Sequence, residues 1–256
     1  AKWAGIHDAT ETGLRCVQSP GTLFLNPTIG EYFRGSQNRK ELVPQRDSEN
    51  CLGLNVLTPG SRGKRPVMVY IHGGGFTNGS SLLTLFADTF PREQDVVLVG
   101  INHRLNVFGY LYLGGFHEKY ATANPGQLDL IAALEWVRDN IGNFGGDPGN
   151  VTIFGESGGG GKISTLLAMP AAKGLFHKAI IESGSVLRVS SKEQAATAAK
   201  ALLDKFRLKE SQADELQKIP ALELLAASSK LKYEPVVDGR SVPQQIWDPK
   251  APELSA

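Results

Sequence analysis

The stretch Val151-Thr152-Ile153-Phe154-Gly155-Glu156-Ser157-Gly158-Gly159 decides the fold. Its first four residues are β-branched or aromatic and predict a strand, while the apolar and small residues from Ile163 to Met169 predict a helix. Gly155 to Gly159 lie between these two elements and match G-x-S-x-G, a sharp strand-to-helix turn that exposes a serine. Ser157 is therefore predicted to be a nucleophile at the C-terminal edge of a sheet. Helix N–H groups behind it would favour an oxyanion.

Strands and helices alternate on both sides of this turn. Nearly continuous apolar runs at 66–71 and 96–101 predict strands that are covered on both faces. Residues 54–57 and 179–183 predict two further strands, and apolar residues at helical spacing between Leu128 and Ile141 predict a helix. Parallel neighbours need a crossover, so the alternation predicts an α/β fold. We expect a mostly parallel central sheet with helices on both faces.

The flanking regions have a different composition. Residues 17–50 are rich in Pro, Asn, Gln, Gly and charge, and predict a long irregular region. Residues 191–230 are rich in Ala, Leu, Lys and Glu and predict two or three helices, and 235–239 predict a strand meeting a turn. Because no repeat or linker interrupts the chain, residues 1–256 are predicted to form a single, partial domain.

Composition excludes several functional classes. The 27 Lys and Arg nearly balance the 26 Asp and Glu, which argues against a nucleic-acid partner. No run approaches the ~18 apolar residues of a membrane span, so integral membrane association is not expected. Two cysteines are too few for a four-thiolate zinc site, and the sequence has no metal-ligand cluster or dinucleotide fingerprint. We therefore expect no metal and no organic cofactor.

A second glycine-rich segment supports acyl-transfer chemistry. His72-Gly73-Gly74-Gly75-Phe76 follows the predicted strand 66–71 directly. Three glycines let the backbone turn its N–H groups into a cavity, where they bind developing negative charge, typically worth several kcal/mol in the transition state. The donors would come from this loop and from Gly158, the residue after the nucleophile.

Two other patterns in the sequence have simpler interpretations. Residues 158–164 resemble a phosphate-binding loop, but that pattern requires Gly where Glu156 stands and Ser or Thr where Ile163 stands, so nucleotide binding is not predicted. Cys16 and Cys51 would close a loop of about 35 residues if bridged, worth ~3–4 kcal/mol. They could equally be two unrelated thiols, and spacing alone does not decide.

Longer motifs extend the match beyond these isolated patterns. Taken together, they resemble the type-B carboxylesterase family, the cholinesterase-like branch of the α/β-hydrolases. Their order and spacing match that family over nearly the whole chain. The matching segments are Glu49–Val56, Val69–Phe76, Asn102–Gly109, Asn124–Asp129 and Phe144–Ser157.

The resemblance implies roles for individual residues of the site. Ser157 would be the nucleophile, and the backbone N–H groups of Gly74, Gly75 and Gly158 would form the oxyanion hole. Many relatives carry alanine where this chain has Gly158, a difference that leaves a backbone donor in place. Glu156 resembles a buried carboxylate beside the nucleophile that supports it electrostatically and is not a triad member.

The resemblance also implies two structural pairs. Arg104 and Asp129 match a buried ion pair, and Cys16 and Cys51 fall where the family often has a disulfide. A bridge would favour a secreted or periplasmic protein, and its absence would favour the cytoplasm. Localisation is otherwise left open.

The remaining triad members are not recognised in this chain. In the family the order is serine, acid, histidine, with the acid soon after a stretch resembling 235–239. The chain ends at Ala256 before either, and it begins within a segment resembling Trp3–Thr10, without the family's first strands. We therefore expect an incomplete domain that also lacks its C-terminal part. No base is assigned among the histidines, which are His7, His72, His103, His117 and His177.

The predicted function is hydrolysis of a small carboxylic ester through an acyl-enzyme on Ser157. The alternatives are a non-catalytic binding or adhesion protein of the same fold and an inactive fragment of an esterase. Binding relatives typically lose the nucleophile, so Ser157 with an intact glycine triplet argues against the first. An interfacial lipase would need an exposed apolar lid, which the sequence does not reveal. The oligomeric state is not predicted.

Overall fold

The computed structural model describes residues 9, 13–19, 46–87 and 89–247. The strands are Arg15–Cys16 (β1), Asp47–Ser48 (β2), Leu54–Leu57 (β3), Arg65–Ile71 (β4), Val97–Ile101 (β5), Gly146–Glu156 (β6) and Lys178–Glu182 (β7). The α-helices are Phe90–Gln94 (α1), Asn106–Tyr110 (α2), Pro125–Asn140 (α3), Gly158–Leu166 (α4), Lys192–Lys205 (α5) and Ala221–Ser228 (α6). Short 3₁₀ helices span Ser81–Ala87, Glu118–Tyr120, Ile141–Phe144, Pro170–Ala172 and Glu210–Lys218.

The main sheet has five strands in the order β3-β5-β4-β6-β7. β3 runs antiparallel to β5, and the other three pairings are parallel, which confirms the mostly parallel sheet. Val67 of β4 lies opposite both Val97 of β5 and Val151 of β6. β4 and β6 are thus parallel neighbours, so the segments that follow them leave the sheet at the same edge.

Both faces of β5 are covered, as its continuous apolar sequence predicts. Val99 is fully buried in the main core, together with Leu134 of α3 and Ile163 of α4. Gly100 points to the opposite face, where a Cβ on this residue would lie 2.5 Å from the side chain of Thr84. Helices α3 and α4 therefore pack on one side of the sheet and the 3₁₀ helix Ser81–Ala87 on the other.

A second, helical layer confirms the prediction of two or three helices in 191–230. α5 begins with a capping box, in which Ser191 and Gln194 exchange side-chain-to-backbone hydrogen bonds of 3.3 and 3.0 Å. Leucines of α5, α6 and the intervening 3₁₀ helix then pack against α2. The buried members of this cluster are Val107, Tyr110, Leu202, Leu203, Ala213, Leu216, Leu224 and Tyr233.

The helix after Ser157 starts and ends earlier than predicted. It spans Gly158–Leu166, whereas the sequence predicted a helix from Ile163 to Met169. Glycine is unfavourable in helices, so the glycine run by itself predicts a turn. Tertiary packing reverses that preference: a Cβ on Gly159 would lie 2.1 Å from the carbonyl oxygen of Ile71.

The prediction of a strand at 235–239 is wrong. Within this stretch only Val236 forms a β-bridge, with Ser190. The pairing does not extend because the N–H and the C=O of Val236 are both hydrogen-bonded to the side-chain amide of Asn124, at 2.7 and 2.9 Å. Asp238 behaves as the predicted turn residue and accepts four hydrogen bonds. Burial alone would raise the pKa of Asp238, but these bonds together lower it below its ordinary value.

A disulfide joins Cys16 to Cys51, with their Cα atoms 4.8 Å apart. Residues 20–45 of the predicted irregular region lie outside the described residues. Beyond the bridge, Gln18 exchanges two 2.8 Å hydrogen bonds with the backbone of Gly79. The bridged segment is therefore held against the loop that follows β4. No helix in the described ranges is long and apolar enough to cross a membrane.

Candidate active site

Ser157 occupies the crossing from β6 to α4 in a strained backbone conformation. Its φ and ψ are 53° and −120°, a combination that costs a non-glycine residue about 1–3 kcal/mol. The backbone compensates with two hydrogen bonds, from Ser157 N–H to Glu182 O at 2.8 Å and from Gly161 N–H to Ser157 O at 3.1 Å. The side chain is exposed, and it has no hydrogen-bond partner among the described residues. The turn therefore presents a free hydroxyl at the sheet edge.

The glycine loop after β4 lies beside this serine. A Cβ on Gly73 would lie 3.0 Å from the carbonyl oxygen of Glu156 and 3.8 Å from Cβ of Ser157. Gly74 and Gly75 have φ values of 80° and 61°, which glycine adopts at little cost. The structure thus brings together the two glycine-rich segments that the sequence singled out.

Gly158 forms the closest contact between the two segments. A Cβ at this position would lie 2.4 Å from N, Cα and O of Gly75. The resemblance implies alanine at this position in many relatives. Here an alanine would keep the backbone N–H group but would require Gly75 to move. The residue at 158, predicted to supply an N–H donor, therefore also affects the position of the loop.

Glu156 is exposed, which corrects the expectation of a buried carboxylate. Side chains alternate along β6, so Gly155 is buried and Glu156 projects at the end of the strand, near Gly73. Its charge still acts locally. The pKa of Tyr70 is raised, first by burial and further by the negative charges of Glu156 and Glu182, although a hydrogen bond with Gly73 opposes this.

The Arg104–Asp129 pair forms as expected but is only partly buried. The guanidinium donates to both carboxylate oxygens at 2.8 and 2.7 Å, and the backbone N–H of Arg104 donates to the same carboxylate at 2.9 Å. The Asp129 side chain is 5% exposed, whereas that of Arg104 is 40% exposed. The hydrogen bond to Asp129 raises the pKa of Arg104. The pair joins the segment after β5 to α3 and does not contact Ser157.

His72 and His103 form a buried stack, with ring centroids 4.6 Å apart and planes 11° apart. Burial first, and then the positive charge of Lys162, lower the pKa of His72 to about 3 and that of His103 well below its ordinary value. Both rings are therefore neutral at ordinary pH. Each Nδ1 contacts a backbone carbonyl, at Gly73 and Arg104 respectively.

The other two described histidines, His117 and His177, do not supply a base to Ser157. His117 and His177 are exposed, and each accepts a hydrogen bond of 3.1 Å from a nearby backbone N–H. His7 lies outside the described residues. Within those ranges no histidine is hydrogen-bonded to Ser157, and no three His, Cys, Asp or Glu side chains form a metal-binding group.

Sequence reasoning missed Lys162, which is 0% exposed on α4. Residue 162 was considered only as part of the rejected phosphate-loop pattern. A signal was present, since the apolar residues that follow it, Ile163, Leu166 and Leu167, indicate a buried helix. A lysine inside such a helix must find a partner for its ammonium group.

Comparison with known proteins agrees with this geometry. The sequence profile of the carboxylesterase family matches residues 1–251. The chain is 42% identical to para-nitrobenzyl esterase of Bacillus subtilis (strain 168) over 95% of this chain and 49% of that protein. It is 44% identical to liver carboxylesterase 1 of Oryctolagus cuniculus over 72% of this chain and 32% of that protein.

Solved structures show the same relationship. A thermophilic para-nitrobenzyl esterase matches with a TM-score of 0.82 and 42% identity, covering 95% of this chain and 50% of that one. The match thus covers about half the length of the para-nitrobenzyl esterases and about a third of liver carboxylesterase 1. Those structures have the α/β-hydrolase fold, in agreement with the order of the sheet and the position of the serine turn. This chain belongs to the carboxylesterase family.

Proposed function

We propose that this chain carries the nucleophile and the oxyanion-binding loop of a serine esterase that hydrolyses small carboxylic esters. One observation carries the proposal: Ser157 is held at φ 53° and ψ −120°, exposed, beside the Gly73–Gly75 loop. A strained non-glycine residue persists where the surrounding structure enforces it, and such strain is concentrated at functional sites. Family membership supports the same chemistry.

The reaction follows from this arrangement. Ser157 Oγ attacks the ester carbonyl carbon while a base takes the hydroxyl proton, and the carbonyl π electrons move to oxygen. The backbone N–H groups of Gly74, Gly75 and Gly158 would donate to that oxyanion, and loss of one such donor typically costs about 10²–10³ in kcat. When the tetrahedral species collapses, the C–O bond to the alcohol breaks, and the alcohol leaves with the proton from the base. Water then repeats the sequence on the acyl-serine.

The base in this proposal is a histidine outside the described residues. His72 and His103 are unsuitable because both are buried and the pKa of each is lowered, to about 3 for His72. His117 and His177 are exposed and are bound to backbone elsewhere. Glu156, next to Gly73, would not join the triad, and its negative charge would favour the protonated base electrostatically.

The substrate is proposed only as a class. The relatives are named for different activities, including a para-nitrobenzyl esterase and a medium-chain fatty acyl-CoA hydrolase. Their common chemistry is attack on an acyl carbonyl. A small p-nitrophenyl ester is therefore a suitable probe, because its alcohol leaves readily and is measured by absorbance.

Covalent labelling tests the proposal directly. The protein purified from its native source, with every segment that belongs to it, is treated with a fluorophosphonate and its intact mass is measured before and after. We expect one adduct, mapped by peptide sequencing to Ser157, and parallel loss of p-nitrophenyl acetate hydrolysis. Ser157→Ala should abolish both.

Ser183→Ala is the matched control for this experiment, because Ser183 is also exposed with a positive φ of 51°. It does not precede a helix, and its variant should retain both labelling and hydrolysis. Absence of any adduct on the wild type, or an adduct on Ser183, would overturn the proposal. The first of these results would favour a non-catalytic binding protein of the same fold.

A further inference from the structure

Lys162 carries a buried ammonium group directly behind the glycine loop. Its Nζ donates to the carbonyl oxygen of His72 at 2.9 Å and lies 5.8 Å from the ring centroid of Phe76. No carboxylate of the described ranges forms an ion pair with it. Burial lowers the pKa of Lys162 to about 7. Burying a cation without a counter-ion is costly, so the presence of a lysine at this buried position needs an explanation.

The carbonyl that Lys162 binds belongs to the first peptide of the oxyanion loop. His72 follows β4 directly, and its C=O is part of the peptide bond to Gly73. A hydrogen bond from an ammonium group is about twice as strong as a neutral one, and it fixes the plane of that peptide. Lys162 lies five residues after Ser157 on α4, about 1.4 turns along the helix. A single side chain therefore connects the nucleophile's helix to the start of the loop.

The other end of the loop is held independently. The carbonyl of Gly74 accepts hydrogen bonds from the N–H groups of Thr77 and Asn78, at 3.3 and 3.1 Å. These contacts close a turn on the outer side of the loop, whereas Lys162 acts from the interior. Between the two anchors, Gly74 and Gly75 have no side chains that could fix their conformation. Their orientation therefore depends on the anchors.

We propose that Lys162 is a positioning residue for ester hydrolysis: the hydrogen bond from its Nζ fixes the His72–Gly73 peptide, and with it the Gly74 and Gly75 oxyanion donors, relative to Ser157. The inference rests on the function proposed above. A loosened loop would still admit substrate but would donate less well to the oxyanion, which exists only after attack. The loss should therefore appear in kcat and not in KM.

Steady-state kinetics of three variants test this role. Lys162→Met keeps an unbranched chain out to the ε position but removes the terminal donor and the charge, and we expect kcat to fall at least tenfold with KM changed less than twofold. Lys162→Gln restores an uncharged donor that reaches one bond less far, and it should recover part of kcat. Thr165→Val is the matched control, because Thr165 is buried on the same helix and its hydroxyl donates only to Gly161 O, within that helix.

Thermal unfolding and hydrogen exchange separate positioning from folding. We expect Lys162→Met to unfold at the wild-type temperature or above, since it no longer buries a charge. Amide exchange in the peptide containing 72–78 should become faster, while exchange in the peptide containing 178–182 stays unchanged. This readout does not require activity, so it remains informative if the wild type fails the fluorophosphonate test.

Three results would overturn the inference. The first is a kcat of Lys162→Met within twofold of the wild type. The second is unchanged exchange in 72–78. The third is failure of both lysine variants to fold, which would assign Lys162 to stability and not to positioning.

Discussion

The chain turns after β4 and after β6 at the proposed active site, and the two turns use different kinds of residue. After β4 the chain turns through Gly74 and Gly75, at φ values of 80° and 61°. After β6 it turns through Ser157, a residue with a side chain, at φ 53°. Glycine adopts positive φ at little cost, whereas serine in this conformation costs about 1–3 kcal/mol. Of these two turns, strain is thus accepted at the one where the proposed chemistry needs a side chain.

The two ends are also held in different ways. Backbone hydrogen bonds fix Ser157, through Glu182 O and Gly161 N–H. On the interior side, the glycine loop is fixed by a side chain, through the bond from Lys162 to His72 O. A change at Ser157 should therefore act on the reaction directly, whereas changes around the loop should act through its position.

The largest expected effect comes from removing the strained side chain. Ser157→Gly should lower ester hydrolysis by at least about 10⁴-fold, because the nucleophile is lost. The same change should raise the free energy of unfolding by about 1 kcal/mol, since glycine relieves the positive φ. Enzyme assays and urea denaturation measure the two quantities. Ser183→Gly, at φ 51°, is the control and should keep activity. A less stable Ser157→Gly protein would show that this conformation is not strained.

Next in size is the packing of the nucleophile's helix on β4. Gly159→Ala should lower the free energy of unfolding by about 1–3 kcal/mol, because its Cβ would lie 2.1 Å from Ile71 O and neither backbone can move freely. Gly142→Ala is the control, since no atom lies within 4 Å of the added Cβ, and its stability should change by less than about 1 kcal/mol. Equal stabilities in urea denaturation would contradict the close contact.

Lys162, buried behind the glycine loop, predicts a pH dependence of the free energy of unfolding. The pKa of Lys162 is lowered from 10.5 to about 7 in the folded protein. Between these values the unfolded chain binds more protons, so the free energy of unfolding should rise with pH, by up to about 1.4 kcal/mol per unit. Lys162→Met should remove this slope in urea denaturation at pH 7 to 10. A slope that persists in the variant would assign it to other groups.

His72 predicts a second pH dependence of the free energy of unfolding, at acidic pH. Its pKa is lowered from 6.5 to about 3, so the folded protein should lose stability as the pH falls through that range. His103, with its pKa also lowered, contributes in the same direction. Because Lys162 lowers both values, stability in Lys162→Met should decline less steeply with acid than in the wild type.

The smallest expected effect tests the contact between the two turns. Gly158→Ala keeps the N–H donor but places a Cβ 2.4 Å from the backbone of Gly75, so the loop must shift. We expect kcat to fall about tenfold, equivalent to about 1.4 kcal/mol of transition-state stabilisation, with little change in KM. Gly142→Ala again serves as the control. Unchanged kcat would show that the loop adjusts without loss.

Local patterns predicted most of the sheet. The strands at 54–57, 66–71, 96–101 and 151–154 were recognised because apolar runs and alternation are properties of short segments. The strand at 235–239 was wrong for a non-local reason. The N–H and C=O of Val236 bond to the side chain of Asn124, more than a hundred residues earlier. Likewise, the early start of α4 depends on its close approach to Ile71 and not on helix propensity.

The sequence by itself determined the strand-to-helix context of Ser157 and the glycine loop after β4, because each is encoded in a few consecutive residues. Only the tertiary structure decided how these segments meet: Gly158 against Gly75, Glu156 exposed, and Lys162 buried behind His72. A contact between residues nearly a hundred positions apart depends on the register of β4 and β6 and on how closely α4 packs. Those quantities are set by the whole core, so no local pattern contains them.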